Sequence, residues 1–269
     1  MLGHWVSSRE RGILGMTSMW SLAYDLYERR ILRSLPPDRL PEHIGVMCDG
    51  NRRWARAFGG EVAGGYVAGA DKIEQFLGWC DQLQVKLVTL WLLSTDNLSR
   101  PAEEVEPLLH VIEGLVAELA AAERWRINPV GALDLLPPES AVRLKAAADA
   151  TSDVPGMTVN IAVAYGGRRE LADAVRSLLH AHAKQGTTIE ELADVIDVEH
   201  IAEHLYTRGQ PDPDLVIRTS GEQRMSGFLL WQSVHSEFYF CEAMWPDFRR
   251  TDFLRAIRAY AARERRYGG

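Results

Sequence analysis

The sequence predicts an α/β protein: one domain built on a central, mainly parallel six-stranded sheet flanked by helices. Apolar runs of strand length alternate with helical patterns of ten or more residues. Several of those runs are apolar throughout, as strands covered on both faces are. No internal repeat or low-complexity linker breaks the alternation, although 269 residues would allow two domains.

About the first fifteen residues have no periodic pattern, as chain ends often do. Residues 18–35 follow. There Trp20, Ala23, Leu26, Tyr27 and Ile31 recur at helical spacing and arginines gather near the end. This amphipathic helix closes an N-terminal extension, residues 1–42. It packs on the domain's own surface or makes peripheral contact with a membrane surface. The first strand is 43–48. A helix over 65–83 places Tyr66, Ala70, Ile73, Leu77 and Cys80 on one face. The apolar run 86–93 is the second strand. A long helix covers 102–124, in which Pro107 is tolerable only in the first turn. Residues 125–133 form a strand whose Pro129 belongs near a sheet edge. Then come a helix over 138–151, a strand over 157–165 and a helix over 166–186. Short helices over 188–196 and 198–206 precede strands at 214–219 and 237–244. A helix over 251–267 closes the chain.

Composition narrows the function classes. Hydrophobic content of 46% and charged content of 25% suit a soluble globular protein. The formal charge of −7 argues against nucleic acid as a partner, while leaving room for a local basic pocket. Cys48, Cys80 and Cys241 are few, odd in number and far apart, which fits a reducing, cytoplasmic setting and small core residues. No stretch is long and apolar enough for a spanning helix, and the N-terminus lacks a signal-peptide core.

In an open parallel sheet, ligands bind beyond the carboxyl ends of the strands. Polar residues and glycines collect there. Asp49, Gly50, Asn51, Arg52 and Arg53 follow the first strand, within "CDGNRRWAR". Ser94, Thr95, Asp96, Asn97 and Arg100 follow the second; Gly166, Gly167 and Arg168 follow the fourth. Arg218, Thr219, Ser220, Gly221, Arg224 and Ser226 surround the fifth. The arginines offer forked donors suited to phosphate oxygens, and the glycines let backbone N–H groups approach an anion. A helix beginning near Arg52 would add its positive end. Asp49, ionised among arginines, could hold Mg²⁺ against phosphate. Diphosphates fit this set, and neither GxxxxGK[ST] nor GxGxxG is present. Taken singly, Asp-Gly-Asn is more often a turn, the arginines surface residues, and Trp231 and Trp245 core; coincidence at one sheet edge favours a site.

"HIGVMCDGNRRWAR", "LLSTDNLSRPAEEV", "NIAVAYGGRREL" and "PDPDLVIRTSGEQRMSGFLLWQSVHSEFYF" followed by "WPDF" resemble, in order and spacing, the signature regions of the cis-prenyltransferases, the undecaprenyl diphosphate synthase family. The resemblance runs from His43 to the C-terminus and implies a catalytic domain over 43–269. It also implies a homodimer, a hydrophobic tunnel and Mg²⁺-dependent condensation of isopentenyl diphosphate onto an allylic diphosphate, giving a Z double bond. Carried over by position, Asp49 is the essential metal-binding aspartate and Glu237 the second acidic residue of the metal site, reached across the dimer. Gly50, Asn51, Arg52, Arg53 and Trp54 surround the allylic diphosphate. Ser94 and Asn97 position substrate and assist proton removal, with Arg100 in the same loop. Arg218, Arg224 and Ser226 hold isopentenyl diphosphate. Tyr66, Thr95, Asp96, Leu98 and Met225 also fall along the substrate.

Several positions depart from the long-chain pattern, which has Gly at Arg52, Arg at Val62, His at Tyr66, Trp at Leu98 and often His at Gln223. Arg52 could compensate for the charge lost at Val62 and Tyr66. These departures resemble the actinobacterial short-chain members that make a Z,E-farnesyl product. Leu92, where long-chain enzymes have a small residue, would narrow the tunnel, or is simply core. A medium- or long-chain synthase, an isoprenoid coupler making irregular monoterpenes and a non-catalytic scaffold subunit are the alternatives; the last is disfavoured by Asp49, Asn97, Arg218, Arg224 and Ser226.

Overall fold

A computed structural model of the protein describes residues 24–263. The irregular N-terminal stretch, residues 18–23 of the amphipathic pattern and the end of the closing helix lie outside them. Two compact units result, one over Pro41–Phe248 and the other combining residues up to Leu40 with those from Arg249 onward.

The larger unit holds the whole sheet. Strands β1 (His43–Met47), β2 (Leu87–Trp91), β3 (Arg126–Val130), β4 (Thr158–Ala162), β5 (Leu215–Arg218) and β6 (Glu237–Phe240) lie in the order β3-β4-β2-β1-β5-β6. Every pairing is parallel, so the sheet is wholly rather than mainly so. The central strands β1 and β5 are buried at every residue, as their unbroken apolar character requires. Strand β3 is an edge, which is where Pro129 can lack its N–H without costing a ladder bond.

Helices α2 (Asn51–Ala57) and α3 (Val62–Gln82) connect β1 to β2; α4 (Ala102–Ala121) follows β2. The chain continues through α5 (Pro138–Ala150), α6 (Gly167–Lys184), α7 (Ile189–Val195) and α8 (Val198–Ala202). Pro107 is the sixth residue of α4, inside the helix rather than in its first turn as expected. Its ring withholds the N–H that would bond the carbonyl of Glu103. Glu103 is exposed, so that carbonyl is open to water and the helix continues.

In the smaller unit, the chain's first described helix, α1 (24–34), accompanies α9 (Arg250–Ala261). The Glu28 carboxylate accepts the Thr251 hydroxyl at 2.6 Å and Arg250 at 3.4 Å, and Arg255 lies over the Tyr27 ring at 5.5 Å. Among the described residues, no helix is long and apolar enough to cross a membrane.

Strand order decides where a ligand sits. The chain passes from β1 to β2 on one side, while β5, reached later from β4, lies on the other side of β1, so the winding of the sheet reverses beside β1. A crevice opens at such a switch point, beyond the carboxyl ends of the strands.

Candidate active site

Asp49 stands two residues past the end of β1, its side chain 40% exposed. Its Oδ2 receives Arg218 Nη2 at 2.9 Å, and its Oδ1 receives the Gly50 N–H at 2.7 Å. Thr219, just past β5, ties the two strand ends. Its hydroxyl donates to the Asp49 carbonyl at 2.8 Å and accepts the Asp49 N–H at 3.0 Å. Gly50 turns the chain at φ 104°, where a Cβ would lie 3.0 Å from Met244 and 3.1 Å from Ser220. Only glycine meets both conditions without strain.

Arg218 is the last residue of β5 and its side chain is 6% exposed. Besides Asp49 it bonds Ser226 Oγ at 3.1 Å and the Arg224 carbonyl, while its Nε is buried with no partner among the described residues. Arg53, in α2, donates to Ser220 Oγ at 2.6 Å. Glu222 lies 3.9 Å from Arg53 and 3.0 Å from Arg224, balancing both cations. Asp49, Arg53, Arg218, Arg224 and Ser226, separated by up to 177 positions in sequence, thus form one connected cluster.

The loop after β2 forms a neighbouring wall. The Asn97 N–H donates to Ser94 Oγ at 3.1 Å and the Ser94 N–H to Asn97 Oδ1 at 3.3 Å, so the pair closes on itself. The Thr95 N–H bonds the Tyr165 carbonyl at 3.0 Å. Asp96 faces solvent, whereas Leu98 and Arg100 are half-buried. Arg52 is not an unengaged phosphate donor: its Nη1 lies 2.9 Å from Glu104 Oε2 in the first turn of α4.

An apolar cavity of about 30 Å³ adjoins this wall. Leu92 lines it with Asn51, Tyr66, Ile73, Leu108 and Ile112, among others. Two polar atoms on it, Asn51 Oδ1 and the Tyr66 hydroxyl, are buried without a hydrogen-bond partner among the described residues. Burial raises the Tyr66 pKa, while Arg52 and Arg100 pull it down. Trp54 rests on Phe58 with ring centroids 4.9 Å apart, and its Nε1 is likewise unpartnered. Met225 packs against the cluster of Met47, Tyr165 and Phe228.

Glu237 is not brought to Asp49 within this chain. It opens β6 opposite Leu215, whereas Arg218, beside Asp49, pairs with Phe240. Three strand positions, about 10 Å, separate the two levels. Among the described residues no three His, Cys, Asp or Glu side chains gather as a metal cluster. The partners Glu104 and Glu222 were not singled out from sequence. Glu104 reads there as an acid in a helix's first turn, a position that acids favour anyway.

Residues 47–268 match the protein family described as "Putative undecaprenyl diphosphate synthase". The chain belongs to the cis-prenyltransferase family. The prenyltransferase is 62% identical over 243 residues to isoprenyl transferase 1 of Streptomyces avermitilis, covering 90% of this chain and 94% of that one. It is 61% identical to the (2Z,6E)-farnesyl diphosphate synthase of Thermobifida fusca, covering 91% and 96%. Among solved structures it is similar to lavandulyl diphosphate synthase from Lavandula x intermedia in complex with dimethylallyl diphosphate. The TM-score is 0.79 at 32% identity, over 84% of this chain and 98% of that one.

Proposed function

We propose that this prenyltransferase joins isopentenyl diphosphate to an allylic diphosphate such as geranyl diphosphate, and that its product is the short-chain Z,E-farnesyl diphosphate. The observation that carries the reading is the adjacency of two unlike environments. Asp49, Arg53, Arg218, Arg224 and Ser226 form a hydrogen-bonded charged cluster. The apolar cavity at Leu92 opens beside it. The amphiphilic substrate and product have that same division. The names of the Thermobifida relative and of a 54% identical short-chain Z-isoprenyl diphosphate synthase from Mycobacterium bovis support the product length.

Asp49 suits Mg²⁺: a single half-exposed carboxylate beside a phosphate site is how this ion is commonly held, substrate oxygens and water completing the shell. Bound there, the ion would neutralise charge on the diphosphate. The chain's own groups do the rest. Arg53 and Arg224 exchange Glu222 for phosphate oxygens, and the unpartnered Nε of Arg218 has one donor to spare. These fixed charges stabilise the diphosphate as the allylic C–O bond breaks. The apolar walls keep water from the allylic cation. The terminal alkene carbon of isopentenyl diphosphate bonds to that cation, which leaves the positive charge on its methyl-bearing carbon, and the CH2 on the far side of that carbon then loses a proton to give the new Z double bond. Neither Ser94 nor Asn97 is a strong base, so a diphosphate oxygen receives that proton while the closed Ser94–Asn97 pair orients the groups. Glu237 would join the metal only from a second copy, which includes a homodimer in the reading.

The test is incubation with isopentenyl diphosphate, Mg²⁺ and geranyl or farnesyl diphosphate, followed by sizing of the products. A farnesyl-length product from the geranyl starter is expected. Long chains would overturn the short-chain reading, and no product with any starter would favour a scaffold subunit.

A further inference from the structure

Six non-glycine residues among the described ones hold a positive φ. Gln84 and Glu123 stand just past the C-caps of α3 and α4, where a left-handed residue is an ordinary way to stop a helix. The other four, Ala164, Ser220, Ser226 and Leu229, lie beyond the carboxyl ends of β4 and β5, at the sheet edge where the charged cluster sits. Ser220 has φ 79°, a conformation that a Cβ makes costly and that glycine adopts freely. Strain kept at a site directs attention to what the side chain supplies. Ser220 supplies a hydroxyl. The residue is 7% exposed, its N–H is tied to the Ala243 carbonyl at 2.7 Å, and its Oγ accepts Arg53 Nη2 at 2.6 Å. Ser226 repeats the arrangement at φ 50°, its Oγ accepting Arg218 Nη1 at 3.1 Å. The two neighbours of Arg53 differ in kind. Glu222, 3.9 Å away, offsets the charge of Arg53 and has to give way to a phosphate. A hydroxyl is neutral, so it aims the guanidinium without cancelling its charge. It engages one of five N–H donors and leaves most of the fork to a ligand. The Arg53 side chain is 47% exposed, and an arginine so placed samples many rotamers unless something holds it.

We propose that Ser220 is a positioning residue: its hydroxyl holds Arg53 ready for an incoming diphosphate, and the left-handed backbone is kept because it places the hydroxyl there. The idea rests on the diphosphate-site reading above. Arg53 then meets the ligand already ordered, and binding does not have to immobilise a long side chain. Ordering one such side chain in advance changes affinity by about twofold to tenfold.

The experiment titrates the full chain with inorganic pyrophosphate in Mg²⁺ buffer and melts the same samples. Ser220→Gly removes the hydroxyl and relieves the backbone, whereas Ser220→Ala removes the hydroxyl and keeps the strain. Both should bind pyrophosphate about twofold to tenfold more weakly than wild type. Ser220→Gly should nevertheless melt about 2–4 °C above Ser220→Ala. Affinity would then not follow stability, as it would if Ser220 only supported the fold. In an Arg53→Gln background, Ser220→Gly should cause no further loss of affinity, because the group it positions is gone. Wild-type affinity in Ser220→Gly, or an equal loss in the Arg53→Gln background, overturns the positioning role while leaving the diphosphate site intact. Failure of wild type to bind pyrophosphate at all overturns both.

Discussion

Asp49 answers to two groups at once. Its carboxylate meets a nearly buried guanidinium at 2.9 Å, yet 40% of its side chain remains open for a further partner. Asp49→Asn keeps the shape and removes the charge that would hold a metal ion. Turnover should fall by about a hundredfold or more, the scale of losing one preorganised electrostatic group. The melting temperature should fall as well, because Asn leaves the nearly buried Arg218 guanidinium without its counter-charge, so turnover is compared well below the melt. Steady-state turnover beside a thermal melt separates the two; turnover within a few fold of wild type would remove Asp49 from the reaction. Leu92 invites a different substitution. Leu92→Ala would enlarge the cavity beside Tyr66 and Ile73, and product sizing should show chains longer than wild type. An unchanged product would make Leu92 a core residue only.

Among the elements, β3 shows how an open sheet edge is kept from pairing with another chain. The Ile127 N–H is taken at 2.9 Å by the buried Thr151 hydroxyl, and Pro129 has none to give. That hydroxyl also donates to the Ala147 carbonyl at 2.9 Å, so one residue fastens the end of α5 to the edge strand. Thr151→Val preserves the shape and orphans a buried N–H, a loss of about 1–3 kcal/mol that denaturant unfolding would register. A variant as stable as wild type would mean that water replaces the hydroxyl. This edge was legible: Pro129 in an otherwise strand-like run argued for it, and the greasy runs of β1, β2, β4 and β5 marked strands covered on both faces. The charged cluster was legible for the same reason, since strand ends in a parallel sheet converge whatever lies between them in sequence. What stayed hidden depends on contacts between side chains. Arg52 and Glu104 are 52 positions apart and each has an ordinary local explanation, so nothing marks them as a pair. Pro107 was misplaced because an exposed helix face tolerates the missing bond that a buried one would not.

Across the larger unit, four strands share a buried polar network that sets its response to acid. His43, 1% exposed, sits between the Pro211 carbonyl and the Thr89 hydroxyl, 2.8 Å from each. The carbonyl can only accept, so Nδ1 carries the hydrogen and Nε2 receives the one from Thr89. Thr89 Oγ in turn accepts Asn160 Nδ2 at 3.0 Å, and Asn160 Oδ1 accepts Asn128 Nδ2 at 2.8 Å and Gln210 Nε2 at 3.0 Å. Strands β1, β2, β4 and β3 are thereby joined across the sheet, with a neutral imidazole at one end. Protonating His43 would reverse Thr89 and leave a charge in the interior; burial accordingly lowers its pKa from 6.5 to about 4. The unfolded chain thus binds a proton near pH 6.5 that the folded chain refuses until about pH 4. The neutral imidazole's contribution is fully present above pH 6.5 and is lost as the pH falls through that window. At 1.36 kcal/mol per pKa unit the loss approaches about 3 kcal/mol by pH 4. Glu170 and Asp212 have carboxyl pKa values raised by burial, which act with the opposite sign, so wild type alone would understate the effect. Subtracting His43→Gln isolates it. Between pH 7 and pH 4, denaturant unfolding should show wild type losing its advantage over His43→Gln by that amount. Parallel curves across the window would mean that the imidazole takes up its proton in the folded protein as readily as in the unfolded one.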